Sequence, residues 1–137
     1  MFRRLILAPV LVAAGLCAGC GDEPTAPDEP EAPVAVSETF SGTVTVNGAF
    51  TQQFTVGRAG TVSAQIVALT PDDTVTLGLT LGTWNGFACQ AVISNDAAKL
   101  QTTVLGTANA PGSLCVRIHD VGGLTTATTF DVTVQHF

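Results

Sequence analysis

The 137-residue chain predicts an all-β domain, an antiparallel β-sandwich or jelly roll of about eight strands, and three observations carry that expectation. Apolar and polar residues alternate with a period of two in segment after segment. Those segments are rich in Val, Thr and Phe, which suit a pleated, half-buried surface. Breakers containing Gly, Asn or Pro recur at short intervals, and helical periodicity is not found. The pattern starts near residue 37, so the domain is read as 37–137, a common size for a single core.

Val44 and Val46 alternate with Thr43 and Thr45, and after Asn47-Gly48 the residues Phe50, Phe54 and Val56 alternate with Thr51, Gln53 and Thr55. These are two strands and a turn, and parity bears on the turn. A two-residue Asn-Gly loop would put the two apolar sets on opposite faces, whereas a three-residue loop would bring them together. A bulged hairpin or a crossing to a second sheet is expected. A strand over 61–68 then points Val62, Ala64 and Ile66 inward, and one over 75–81 does the same with Val75, Leu77, Leu79 and Leu81.

Trp84-Asn85-Gly86 is read as the next turn, 87–93 as a strand, 94–99 as a polar loop and 100–105 as another strand. Asn109-Ala110-Pro111-Gly112 is a strong breaker. Beyond it Leu114, Val116 and Ile118 alternate with Cys115, Arg117 and His119, and after Gly122-Gly123 the last strand sets Phe130, Val132 and Val134 on one face.

The residues before the domain have a different chemistry. Residues 21–36 hold four prolines and five carboxylates and no aromatic side chain. Such a segment cannot build a core and is expected to be a disordered, extended, solvated linker. Upstream, Arg3 and Arg4 precede a short apolar run over 5–16 that ends in Leu16-Cys17-Ala18-Gly19-Cys20. This has the layout of an export signal and is too short for a spanning helix, which needs about 20 apolar residues.

The small-small-Cys ending resembles the lipobox of bacterial lipoproteins, with Cys17 where a branched aliphatic residue is usual. The resemblance implies a signal peptide over 1–19 and Cys20 as the new N-terminus, carrying a diacylglycerol and fatty acyl chains such as palmitate, followed by the 20–36 linker. Two buried acyl chains supply on the order of 20 kcal/mol, enough to hold a protein at a membrane. Gly21, rather than Asp, after that cysteine implies the outer membrane of the cell envelope. The alternative is an ordinary secretory signal that leaves Cys20 as a thiol.

Within the domain, Phe40-Ser41-Gly42, the Phe50 strand leading to Arg58-Ala59-Gly60, the run Pro111-Gly112-Ser113-Leu114-Cys115-Val116, and Phe130-Asp131-Val132-Thr133-Val134 are similar to the motifs of the bacterial pre-peptidase C-terminal domain. Leu114 stands where that family has Tyr. The resemblance implies a compact accessory or binding module and no catalyst.

Candidate functional residues are few. Cys89 and Cys115 suit a disulfide in an exported compartment, worth about 3 to 4 kcal/mol by chain entropy, with two free thiols as the alternative. Parity opposes the pair: Cys115 points away from the core, whereas Cys89 shares parity with Ile93. They meet only if Cys89 also lies outside or a bulge falls between Trp84 and Phe87. Trp84, Asn85 and Phe87 form a possible ligand platform, with a plug over the core as the bland reading. His119 and His136 lack metal or nucleophile spacing and are expected on the surface. Asp72-Asp73 could open a calcium loop with Asp96 or Asp120, but a turn before Thr74 accounts for them, so neither metal nor cofactor is expected.

The domain sets Arg58, Lys99 and Arg117 against six carboxylates, a formal charge of −3, which excludes a phosphate-backbone partner. The functional expectation is a membrane-anchored envelope lipoprotein whose non-catalytic sandwich binds a protein or glycan. A purely structural envelope module, or a simple secreted β-domain, is the alternative.

Overall fold

The structure, a computed structural model, describes residue 27 and residues 29–137. Cys20, the expected lipid site, and the signal segment lie outside the described residues. From Ala32 to Phe137 the chain forms one compact unit of eight strands: β1 (Val36–Val44), β2 (Ala49–Val56), β3 (Gly60–Thr70), β4 (Leu77–Trp84), β5 (Cys89–Ala98), β6 (Thr103–Ala108), β7 (Gly112–Asp120) and β8 (Thr128–His136). They make two four-stranded antiparallel sheets, ordered β1-β8-β3-β6 and β2-β7-β4-β5. β1 begins at Val36, one residue ahead of the expected boundary.

Only the β4–β5 connection joins partners in one sheet; every other link between consecutive strands passes from sheet to sheet. The parity problem at Asn47-Gly48 is resolved this way. β1 pairs with β8 and β2 with β7, so the turn carries the chain across the sandwich. Asn47 takes a positive φ of 57°, and the Gly48 N–H donates to the Thr45 carbonyl at 2.8 Å.

The inward sets meet between the sheets. Val62, Ala64 and Ile66 of β3 and Phe130, Val132 and Val134 of β8 face Leu77, Leu79 and Leu81 of β4 and Val116 and Ile118 of β7, all buried. Each removes apolar surface from water at roughly 25 cal/mol per Å², the main term holding a domain this size together. Phe50 packs edge-on against Phe130 with ring centroids 5.1 Å apart, which links the two layers.

Several expectations change, and the strand expected from 87 begins only at Cys89. Residues 94–98 are not a loop, because β5 runs on to Ala98, and only Lys99 of the expected loop lies in the turn that follows. The turn-forming residues there are accommodated by a register shift: Leu79 pairs with Asn95 and Leu77 with Ala98, and Asn95 Oδ1 accepts the Ala97 N–H at 2.9 Å. The next strand therefore starts at Thr103, after a turn in which Gln101 has φ 69°. A bulge between Ile66 and Ala68 extends β3 past 68 and turns Leu69 into the core. Val75 precedes β4 and is only partly buried. Finally, His136 is not a surface residue. It shares the inward parity of β8, is 3% exposed, and lies beside Phe54 with centroids 5.5 Å apart. Its Nε2 lies 2.8 Å from Glu38 Oε1, so the ring closes the end of the core with one nitrogen directed at a carboxylate.

Candidate functional site

The predicted platform falls on the one hairpin of the fold. Trp84 and Cys89 are the last pair of β4 and β5, and Asn85 to Ala88 turn the chain between them. Asn85 Oδ1 accepts the N–H groups of Phe87, at 2.9 Å, and Ala88, at 2.7 Å. Gly86 takes φ +93°, a backbone conformation at which a β-carbon would be strained. Asn85 is therefore a turn residue whose acceptor is already used, and its effect is to hold Phe87 out of the fold at 90% exposure.

Trp84 is half-buried and shares the outward parity of Thr80 and Gly82. With Phe87, Ala88, Cys89, Thr51 and Arg117 it lines a shallow depression of about 290 Å³ on the outer face of the β2-β7-β4-β5 sheet. Arg117 is exposed there, in register with Thr51 on one side and Thr80 on the other. A second, smaller cleft of about 50 Å³ between β5 and β6 is apolar, with Leu81, Val92, Ile93 and Leu114 in its wall.

One covalent cross-link and one side-chain contact over β4 shape this face. Cys89 and Cys115 are joined, S–S 2.09 Å, across 26 residues. Cys115 lies on the outer face of β7 opposite Gly82, and Cys89 reaches it from β5. A β-carbon built at Gly82 would stand 2.2 Å from the Gln90 carbonyl oxygen and 3.2 Å from Cys89 Sγ, so only glycine lets the chain pass beneath. The parity conflict disappears because Val92 is an unpaired extra residue: Leu81 pairs with Ile93 and Gly82 with Ala91. The bulge thus falls within β5, nearer Ile93 than the expected 84–87 region, and it puts Cys89 and Ile93 on opposite faces.

A side-chain contact crosses β4 in the same way four residues along. His119 of β7 lies over Gly78, where a β-carbon would be 2.0 Å from its ring, and its Nε2 reaches Asp96 of β5 at 3.4 Å. His119 Nδ1 is buried without a hydrogen-bond partner among the described residues. Gly78 and Gly82 of β4 thus underlie His119 and Cys115 of β7.

Of the carboxylates weighed for calcium, Asp96 lies on β5 beside His119, and Asp72 and Asp120 hold loops. Asp120 Oδ2 accepts the Asn47 N–H at 2.8 Å, and its Oδ1 accepts those of Gly122, Gly123 and Leu124 at 2.8, 3.0 and 3.1 Å. The Asn47 donor first, and then the other three, hold its carboxyl below the usual range against some desolvation. Asp72 Oδ1 accepts from the Thr74 hydroxyl and N–H, at 2.6 and 2.8 Å, and is lowered by those two bonds. Among the described residues no three His, Cys, Asp or Glu side chains gather as a metal site.

Sequence reasoning placed Trp84 and Phe87 together but missed Arg117 and Thr51. Parity with Cys115 puts Arg117 on an outer face, yet only the strand order β2-β7-β4 brings it beside Trp84.

No protein-family model matches the chain, and neither does any curated protein sequence. Among solved structures the chain is similar to PliG of Aeromonas hydrophila, a periplasmic inhibitor of g-type lysozyme, with 16% identity and a TM-score of 0.51. The match covers 73% of this chain and 85% of that one, and at such identity what the two share is a β-rich fold.

Proposed function

We propose that this protein is a lipid-anchored lipoprotein of the cell envelope whose sandwich is a non-catalytic module that binds another polypeptide through the Phe87 turn. The observation that carries the reading is Phe87 itself. A large aromatic side chain exposed over nine-tenths of its surface is carried on a turn whose backbone is held by two hydrogen bonds to Asn85 and a positive-φ glycine, and the strand that follows is cross-linked to β7 directly behind the turn. An aromatic side chain presented on a pre-organised turn costs little backbone entropy to bind, and buried aromatic anchors commonly carry an interface.

Further support comes from chemistry outside the sandwich and from the likeness of fold. The lipobox-like ending at Cys20 and the acidic, proline-rich 20–36 linker suit a domain held away from a membrane, and Gly21 favours the outer one. The accessory character implied by the pre-peptidase-like motifs points the same way. PliG binds a protein, so a g-type lysozyme is the first partner to test by inhibition.

The binding reading is tested by placing a photoreactive phenylalanine analogue at position 87 of the full chain in cells. Protein adducts that disappear with Trp84→Ala are expected. Adducts to glycan alone would favour the second reading, a carbohydrate-stacking platform, which the adjacency of Trp84 and Phe87 supports. For the anchor, the measurement is incorporation of a fatty-acid analogue into wild type and Cys20→Ala. Equal labelling would remove it.

A further inference from the structure

Resting on the binding role just proposed for the Phe87 turn, we infer that the depression beside it selects a carboxylate, and that its occupant is an acidic segment of a protein partner read by Arg117. The domain has an excess of negative charge, yet at the centre of this face stands an exposed guanidinium with no ion-pair partner among the described residues. Its neighbours in register are Thr51 and Thr80, both uncharged, and Thr80 is engaged with Ser94 at 2.8 Å. The closest carboxylate on the same face in the sheet register is Asp96, which faces His119 across Gly78.

Arg117 shares the shallow, open depression with Trp84 and Phe87, so the guanidinium stands beside two aromatic side chains. A planar guanidinium there can take a carboxylate through two parallel N–H donors, and a partner seated on the aromatic side chains would cover the pair. Charge complementarity therefore commits the occupant: the aromatic pair supplies contact area and Arg117 supplies the choice of Asp or Glu. Thr51, in register with Arg117 on the edge strand β2, adds a hydroxyl donor on the open side.

The test uses the full chain in cells with the photoreactive analogue at position 87, combined with Arg117→Lys, Arg117→Gln and Arg117→Glu, and identifies the captured peptide by mass spectrometry. An Asp or Glu close to the cross-linked residue is expected. Adduct yield should fall about tenfold in Arg117→Gln, further in Arg117→Glu, and less in Arg117→Lys, with loss at high salt. An adduct whose yield ignores Arg117, or whose peptide lacks a carboxylate, overturns the inference and leaves the binding role standing. Absence of protein adducts with the analogue at 84, 87 or 117 in turn overturns the binding role and the inference with it. Circular dichroism of each variant separates lost folding from lost contact.

Discussion

The two outer faces of the sandwich are built from the same β-forming residues and differ in what they leave unused. On the β1-β8-β3-β6 face, hydroxyls, amides and carboxylates satisfy one another: Thr39 with Thr133 at 3.0 Å, Ser41 with Asp131 at 2.5 Å, and Thr70 with Thr129. Gln65 Nε2 donates to the Gln101 carbonyl at 3.2 Å. Leu105 is its one large exposed apolar side chain among the described residues. The β2-β7-β4-β5 face differs, with Trp84, Phe87 and Arg117 around a depression and the disulfide and the His119–Asp96 contact lying over glycines of β4. A sheet face whose polar groups are already paired has little left to offer a partner even where it is hollowed, as beside Ser41, Thr70 and Asp131, whereas Gly78 and Gly82 let larger groups lie across β4.

Removing the disulfide is the largest way to disturb that contrast. Cys89→Ser with Cys115→Ser, or reduction, is expected to lower stability by roughly 3 kcal/mol in urea unfolding, and to reduce capture at position 87 because β5 is released behind the turn. Next comes Gly82→Ala, whose β-carbon meets the Gln90 backbone at 2.2 Å and has no flexible side chain to displace. A cost of about 2 to 3 kcal/mol is expected. Gly78→Ala should be milder, about 1 kcal/mol, since the imidazole of His119 can swing away, and the loss should shrink in a His119→Ala background. Equal costs in both backgrounds would break the view that His119 packs over Gly78.

Phe87→Ala sharpens the comparison from the other side. At 90% exposure it should change stability by less than about 0.5 kcal/mol while abolishing partner binding, and Thr133→Val on the opposite face should leave binding intact. The smallest effect concerns the loops that join the sheets. The Asp120 carboxyl is held below its ordinary value in the folded state, so its contribution is present above about pH 4 and is lost as pH falls through the lowered value. Melting temperatures followed from pH 7 to pH 2 should drop less steeply in Asp120→Ala than in wild type. A parallel drop would assign acid sensitivity elsewhere, with Asp72 the other carboxyl lowered by its own turn.

Inside and outside were legible wherever a strand is regular. Val62, Ala64 and Ile66, then Leu77, Leu79 and Leu81, then Val116 and Ile118, and last Phe130, Val132 and Val134 are all buried as their alternation predicts. Parity failed where an extra residue enters a strand. Val92 and the Ile66–Ala68 bulge reverse the facing of the residues beyond them, and nothing in the local composition marks them. The extension of β5 through Ser94 to Ala98 was hidden for a related reason: Asn95 and Asp96 are turn formers by propensity, and only pairing with β4 keeps them extended. His136 was misread because a histidine in the last strand looks solvated until Glu38 of β1 is seen beside it.

Sequence alone determined the all-β class, the number of strands, most of the core and the outward parity of Arg117, because a two-residue repeat is a local property of the chain. Tertiary structure decided which strands are neighbours, where the bulges fall, and that Trp84, Phe87 and Arg117 share one depression while Cys89 can reach Cys115 over Gly82. Those outcomes depend on pairing between segments far apart in the chain and on the room a missing β-carbon leaves, and neither is written in any single window of residues.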